Sequence, residues 1–462
     1  MYYRLKDNYI LRGWNKLPYA IVDIKTKNAV FLTAKRMQAV KLCDGNTDIP
    51  DEIKNTINEI KDKGFIEECE KGNGLKKNQK YKKYPSRYIN LVQWSVTGKC
   101  NFKCKHCYMS APDVNAKELS HEDAMKIVNQ LAENGVMKVY LTGGEPLFRN
   151  DFLEIIDAFI ERDIKIEHIY SNGALITKKF LTELDKRNIH PEFFMSYDGV
   201  DGWHDWLRGI KGAEKLTCRA FELCRDMGFK TFASMTLHEG NKHTLRYTVN
   251  YLASLGVCGI RIGAAGDMGE WVTHNENKKL SIKDFCQTVL DYIPQYYEDG
   301  MPVDISLGIF TAKKNEPDKY EIPFYNEEYE PDKLICDLVR KTAYISPEGR
   351  VLICGLCAGL KIQEEFPTLF EKNFSECIST PEYMKIADMR VKDFLKVNEK
   401  CGTCKFNKYC NGGCRIGALA SGKDLMDSNE FLCEMFYGGW IKKIVDTVKK
   451  ARPTAECQVK EL

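Results

Sequence analysis

The amino-acid sequence predicts an α/β fold built on a parallel sheet, with a small α+β module before it and a cysteine-rich region after it. Three observations carry this. Between about residues 88 and 300, six apolar β-type runs alternate with helical stretches, the pattern of parallel strands joined by right-handed crossovers. Before residue 72, two short apolar runs precede two helical ones. The chain holds 19 cysteines in 462 residues, dense beyond about residue 331 where strands and helices shorten. Such a segment usually depends on metal for its fold.

Tyr19–Ile24 and Asn28–Leu32 read as strands about the polar turn Lys25–Lys27. Helices follow at Arg36–Leu42, closed by Cys43-Asp-Gly45, and at Ile53–Lys63, ended by Gly64. Residues 1–72 therefore form a winged-helix-like module, and 73–87, rich in Lys, Asn and Gly, a solvated linker. The sheet is expected over 88–300. Its strands are Leu91–Val96, Lys138–Thr142, Ile164–Ser171, Glu192–Tyr197, Lys230–Leu237 and Gly259–Ala264. The helices are Ser120–Asn134, Asp151–Arg162, Lys178–Arg187, Ala213–Met227 and His243–Leu255. A connector spans 301–330, the cysteine-rich domain 331–445, and a helical tail 446–462.

Composition excludes several classes. With 68 Lys+Arg against 65 Asp+Glu, the net charge of +3 provides no global field for nucleic acid or an anionic membrane. No run approaches the roughly 20 apolar residues of a spanning helix, and the polar start lacks a signal-peptide core. The expected compartment is a reducing cytoplasm, where cysteines persist as thiols or metal ligands.

Chemistry in a parallel sheet gathers at the carboxyl ends of the strands. Directly after the first strand stand Cys100, Cys104 and Cys107, spaced Cys-x3-Cys-x2-Cys. Three thiolates on one loop suit a cubane iron–sulfur cluster with one iron left open. A zinc knuckle completed by His106 or a distant residue is the alternative, disfavoured because zinc sites usually come as two pairs.

With this motif the sequence resembles the radical S-adenosylmethionine (SAM) enzymes, and the likeness continues through the sheet. Gly143, Gly144, Glu145 and Pro146 after the second strand resemble that family's GGEP loop, whose glycines admit close backbone approach and whose carboxylate can hold an ammonium. Ser171 and Asn172 follow the third strand, and Ser196 the fourth, with Arg208 twelve residues on. The resemblance implies a partial (β/α)6 TIM barrel in which Ser196 and Arg208 contact SAM. It places His106 beside the adenine and Gly259–Gly263 near it. It also implies that SAM chelates the open iron and yields a 5′-deoxyadenosyl radical, which takes hydrogen from an unreactive C–H bond.

A second constellation, Cys401, Cys404, Cys410 and Cys414, has the spacing Cys-x2-Cys-x5-Cys-x3-Cys; Cys336 and Cys354 precede it and Cys433 follows. Together these resemble the SPASM iron–sulfur extension, which binds two auxiliary 4Fe-4S clusters; paired zinc sites are the alternative. The resemblance assigns Cys401, Cys404, Cys410 and Cys433 to a distal cluster, and Cys336, Cys354 and Cys414 to a proximal one. Three 4Fe-4S clusters with one SAM-bound iron need one more thiolate. Either Cys357 supplies it or an iron stays open for a substrate thiolate. The other eight cysteines (43, 69, 218, 224, 258, 286, 377 and 457) are expected to be buried small hydrophobes.

The first module resembles the recognition element that grips leaders of ribosomally made peptides (the RiPP recognition element), by strand addition to an exposed edge. The sequence is thus expected to encode a peptide maturase, installing a thioether cross-link as the first choice. Carbon–carbon cross-linking and formylglycine formation are the rival reactions, and a metal-bound peptide scaffold without turnover is the non-enzymatic rival. Expected partners are a precursor peptide and a flavodoxin- or ferredoxin-type reductant, with no nucleic acid and no membrane.

Overall fold

The structure is a computed structural model and describes residues 2–110, 118–323, 325 and 330–458. In the first module, β1 (Tyr2–Leu5) pairs antiparallel with β5 (Ile66–Cys69), while β4 (Ala29–Phe31), β3 (Leu17–Asp23), β2 (Tyr9–Asn15) and β6 (Lys82–Arg87) form a second sheet in that order. Helices α1 (Ala34–Leu42) and α2 (Lys54–Asp62) lie between β4 and β5 in sequence. Met37, Val40, Ile57 and Ile60 bury their apolar faces with Leu5, Leu11 and Ile21.

The expected linker is instead part of this module. Gln79 is 1% exposed, its amide donating to the carbonyls of Leu5, Lys6 and Tyr9. Lys82–Arg87 is a strand beside β2. Few apolar residues mark the segment because polar side chains and backbone hold it. Trp14 fastens the module to the barrel, donating its indole N–H to the Gly135 carbonyl at 3.2 Å and stacking on Tyr84.

The six barrel strands are β7 (Leu91–Ser95), β8 (Lys138–Thr142), β9 (Lys165–Ser171), β10 (Glu192–Ser196), β11 (Thr231–Leu237) and β12 (Gly259–Ala264). All neighbours pair in parallel. The sheet is wider than six strands. β13 (Asp304–Ser306) adds in parallel to β12, and β16 (Thr342–Ile345) adds in parallel to β7. β14 (Thr311–Ala312), β15 (Lys319–Glu321), β17 (Val351–Leu352) and β18 (Glu456–Gln458) extend the two edges. The sheet therefore runs across the expected connector, cysteine-rich domain and tail. These added strands span two to four residues each, too short for alternation to show in sequence.

One face of each barrel strand packs on the helices: Val92, Trp94, Val139, Leu141, Ile169, Phe193, Met195 and Ala233 are buried in a single core with Ile127, Leu131, Ile155, Phe159, Leu184 and Phe221. The alternate residues face the lumen, where neighbouring strands carry a ladder of rings. Tyr140 stacks on His168 at 4.0 Å, His168 meets Phe194 at 4.6 Å, and Phe194 stacks on Phe232 at 4.8 Å. A register shift between β8 and β9 sets His168 opposite Tyr140.

Candidate active site and cysteine groups

The loop bearing Cys100, Cys104 and Cys107 leaves β7 and is clamped by backbone from three other loops. The short helix Trp203–Arg208 ends on it: Lys103 N–H donates to the Arg208 carbonyl and Lys105 N–H to the Leu207 carbonyl, at 3.2 and 2.8 Å. Gly209 closes that helix at φ +68°, and a Cβ there would stand 2.2 Å from the Lys103 carbonyl oxygen. Gly144 N–H donates to the Thr97 carbonyl and Glu145 N–H to that of Lys99, while a Cβ on Gly144 would meet Lys99 O at 2.3 Å. Glu270 N–H donates to the Cys107 carbonyl at 3.0 Å.

The thiols are half-buried and near one another. Burial, with Cys104, Glu145 and Cys107 as anionic neighbours, pushes the Cys100 thiol up to about 12. Without a cation the loop would thus stay neutral, and bound metal reverses that preference. Donors already face the sulfurs: Phe102 N–H lies 3.4 Å from Cys100 Sγ and Arg208 Nη1 3.7 Å from Cys104 Sγ.

Arg208 is 8% exposed and donates from Nε to Asp198 Oδ2 at 2.7 Å. Asp198 is fully buried and accepts Thr236 N–H at 2.9 Å on its other oxygen. Burial opposes its ionisation, but the Arg208 charge and then His204 outweigh that and hold its carboxyl below the usual range. Asn241 ties the turn, donating to the carbonyls of Asp198 and Thr236. Sequence reasoning missed Asp198; the signal available was its place two residues after Ser196 and ten before Arg208. Ser196 is half-buried on the lumen side of β10.

Glu145 is buried between two loops. Its carboxylate, 0% exposed, accepts the Ser171 hydroxyl at 2.9 and 3.1 Å, Asn172 N–H at 2.7 Å and Leu147 N–H at 3.2 Å. It braces the two loops against each other. Burial raises it to about 7, against the pull of those hydrogen bonds. Ser171 is spent in the same bracket, and Pro146 is buried at the start of a single helical turn. Asn172 reaches the cysteine loop, donating to Asn101 Oδ1 at 2.7 Å.

His106 turns into the protein, and burial lowers it to about 3, so it is neutral. Its Nδ1, His238 Nε2 and Trp271 Nε1 are sealed from solvent with no hydrogen-bond partner among the described residues. His238 Nδ1 accepts Gly240 N–H, which puts the ring proton on that unpaired Nε2. Trp206 lies 5.0 Å from His238 and 6.4 Å from Trp271, and the Lys105 ammonium sits over Trp206 at 5.2 Å.

The later cysteines fall into two neighbourhoods. Cys401, Cys404, Cys410 and Cys433 line a cavity of about 30 Å³ with Leu395, Leu432, Phe406 and Phe436. Burial, followed by Cys401, Cys433 and Cys404, raises Cys410 to about 11. Burial likewise raises the Cys414 thiol, with Cys354 and Cys336 as its thiol neighbours. Cys336 precedes and Cys354 follows the β16–β17 hairpin, so this group is built on the barrel's own edge. Cys357, fully buried, closes the turn Cys354-Gly-Leu-Cys357, its N–H donating to the Cys354 carbonyl at 3.1 Å and its thiol within hydrogen-bond reach of the Cys354 thiol. Among the described residues, no three His, Cys, Asp or Glu side chains converge on a single-ion site. Four thiols lining one cavity are the donor set that a polynuclear iron–sulfur cluster takes. The donor set therefore fits iron–sulfur groups. Of the eight remaining cysteines, Cys43, Cys218, Cys224, Cys286 and Cys377 are buried and Cys69 partly so, but Cys258 and Cys457 are exposed, contrary to expectation. Cys258 immediately precedes β12 and Cys457 lies in the short edge strand β18, places where apolar pattern does not ensure cover.

The two cysteine regions meet. The stretch after Cys107 runs under Gly359, where a Cβ would stand 2.3 Å from the Tyr108 carbonyl oxygen. The Tyr108 hydroxyl is within reach of Tyr344, which lies in β16 opposite Gln93 of β7. Among the described residues no helix is long and apolar enough to cross a membrane.

A sequence profile described as "Radical SAM superfamily" matches residues 94–252. The AdoMet-dependent heme synthase of Methanosarcina barkeri is 25% identical over 351 residues, covering 74% of this chain and 95% of that protein. The radical SAM cyclopropyl synthase TigE of Paramaledivibacter caminithermalis is 23% identical over 434 residues, covering 86% of this chain and 84% of its own. The crystal structure of Streptococcus suis SuiB bound to precursor peptide SuiA superposes with a TM-score of 0.66 at 16% identity, covering 94% of this chain and 100% of that one, a likeness of fold.

Proposed function

We propose that this chain, whose residues 94–252 match the radical SAM superfamily profile, is a radical SAM enzyme that modifies a ribosomally made precursor peptide in the cytoplasm. Cys100, Cys104 and Cys107 would hold the SAM-binding 4Fe-4S cluster. Cys401, Cys404, Cys410 and Cys433 would hold a distal cluster, and Cys336, Cys354 and Cys414 a proximal one. With SAM, the first cluster supplies a 5′-deoxyadenosyl radical able to take hydrogen from an unactivated carbon.

The chain's own residues prepare that chemistry. Arg208, fixed by Asp198, keeps a positive charge beside the cysteine loop, where it offsets thiolate charge. Glu145 locks Ser171 and Asn172 so that Asn172 can hold Asn101 of the same loop. Among the described residues the N–H groups of His238 and Trp271 have no partner, and they would donate to a purine or ribose brought against them. Tyr140, His168, Phe194 and Phe232 form an aromatic lumen floor that would limit water near a radical.

One observation carries the peptide reading: β4 is an edge strand with Val30 and Phe31 43% and 39% exposed. Asp23 N–H donates to the Asn28 carbonyl and Leu32 N–H to that of Tyr19, so the alternation of an antiparallel ladder turns the Ala29 and Phe31 amides outward. An extended leader could pair there. A porphyrin-type substrate, suggested by the heme synthase, is disfavoured because that match leaves about a quarter of this chain without counterpart, while the TigE match spans 86%. Thioether formation remains the first choice, since a cysteine-bearing core can use an oxidising auxiliary cluster. The Cys354–Cys357 turn favours the second, carbon–carbon cross-linking, because Cys357 would close the proximal cluster against a substrate thiol. Co-expression with a candidate precursor and mass spectrometry decides. A loss of two hydrogens that survives cysteine alkylation and requires SAM supports peptide cross-linking, and an unaltered peptide with active SAM cleavage refutes it.

A further inference from the structure

The barrel end of the protein has its chemistry and the first module has its edge strand, but the outer surface of the distal cysteine group has no role yet. Residues 396–408, which include Cys401 and Cys404, carry Lys396, Lys400, Lys405 and Lys408 against the single acid Glu399. That surplus equals the +3 of the entire chain, concentrated on thirteen residues. All four lysines are exposed, and none makes an ion pair among the described residues, whereas Lys392 on the preceding turn does, with Asp332.

Two of these ammonium groups sit over aromatic rings. Lys405 Nζ lies 4.9 Å from the Phe406 ring centroid and 5.8 Å from that of Tyr437, and Lys408 Nζ lies 5.0 Å over Tyr409. Tyr437 is itself 63% exposed, yet its hydroxyl touches Cys404 Sγ at 3.4 Å. Phe406 packs edge-on against Tyr437 and lines the cavity that the four thiols ring. A solvent-facing ring in contact with a ligand sulfur, rimmed by unpaired lysines, is suited to brief docking of an anionic protein and short-range electron transfer. Apolar cores with charged rims give encounter rate and specificity more than affinity.

We propose that the surface of Lys400, Lys405, Lys408 and Tyr437 docks an acidic one-electron carrier protein and passes an electron between it and a cluster held by Cys401, Cys404, Cys410 and Cys433. The inference rests on the reading of those four cysteines as cluster ligands given above. In the reducing direction, a flavodoxin hydroquinone gives up one electron and becomes the semiquinone, and the cluster gains that electron. No covalent bond of this chain forms or breaks. A strongly acidic flavodoxin complements the lysine rim. A neutral small reductant needs no such surface.

The test uses the full-length, anaerobically reconstituted enzyme and an acidic flavodoxin hydroquinone as probe, followed by flavin absorbance in stopped flow at low and at physiological ionic strength. The Lys400→Gln/Lys405→Gln/Lys408→Gln variant is expected to lose about tenfold in the second-order rate at low salt and to show a flatter salt dependence. Its iron content and its reduction by dithionite should match those of the wild type. In parallel, carbodiimide cross-linking of the wild-type pair should join flavodoxin carboxylates to Lys405 or Lys408. Equal rates and equal salt slopes, or cross-links only to lysines elsewhere, overturn the docking surface, and the cross-link readout stands even if the triple variant assembles poorly. A wild-type enzyme that neither binds iron at these cysteines nor accepts electrons from dithionite would instead overturn the cluster reading.

Discussion

Replacing Asp198 by Asn tests how the barrel fixes Arg208. In the wild type, two fully or nearly buried charges meet at 2.7 Å, and the second carboxylate oxygen holds Thr236 N–H in β11 at 2.9 Å. The amide that Asp198→Asn introduces keeps the shape but not the charge, so the guanidinium is left buried without a counter-charge beside the Cys104 thiol at 3.7 Å. Breaking one partner of such a pair costs about 3–5 kcal/mol. At about 1.4 kcal/mol per factor of ten, that is roughly 10²- to 4 × 10³-fold in the local opening equilibrium. Amide exchange by mass spectrometry reports it directly: peptides covering 231–238 should exchange faster by about that factor, while α2 in the first module is unchanged. The double variant Asp198→Asn/Arg208→Met removes the stranded charge and should recover most of the protection. If protection in 231–238 is unaltered in the single variant, or is lost equally in both, the pair does not hold this turn and the reasoning fails.

Other outcomes follow from the same geometry. Cys100→Ala/Cys104→Ala/Cys107→Ala should abolish SAM cleavage and leave about eight irons bound, measured by iron assay and 5′-deoxyadenosine yield; full cleavage would refute the assignment. Glu145 has a folded pKa raised by burial to about 7, so its contribution favours the fold below its unfolded value and is lost as pH rises through about 7. Glu145→Gln should remove that slope, on the order of 3 kcal/mol at most between pH 4.5 and 7, and a denaturation series identical to wild type would contradict it. Ala29→Pro deletes an outward N–H of β4 without touching the inner ladder, so leader affinity should fall about tenfold with uncoupled SAM cleavage retained; unchanged binding by fluorescence anisotropy would remove the edge from the recognition surface. Cys357→Ser should change the iron content or paramagnetic spectrum of the proximal group if it is a ligand, and leave both alone if an iron stays open.

By itself, the sequence determined what is local. The cysteine spacings are covalent facts of the chain, and β8 and β12 fall on the residues their apolar runs mark, Lys138–Thr142 and Gly259–Ala264. The crossover helices begin and end within two residues of expectation, because caps such as Ser120 and Thr177 and the 3.6-residue period act over one or two turns. Only the tertiary structure decided which side chains answer one another across crossovers. Asp198 and Arg208 meet because the helix between them folds back under the cysteine loop. Glu145 reads as a free carboxylate in a turn until β9 brings Ser171 and Asn172 against it and takes up its lone pairs. β16, four residues from the far side of the chain, joins the barrel through ladder hydrogen bonds to β7, and backbone bonding of that kind leaves no trace in side-chain pattern. Spacing along a chain fixes which residues can share a loop, whereas partners brought together by packing are selected by shape and charge in three dimensions.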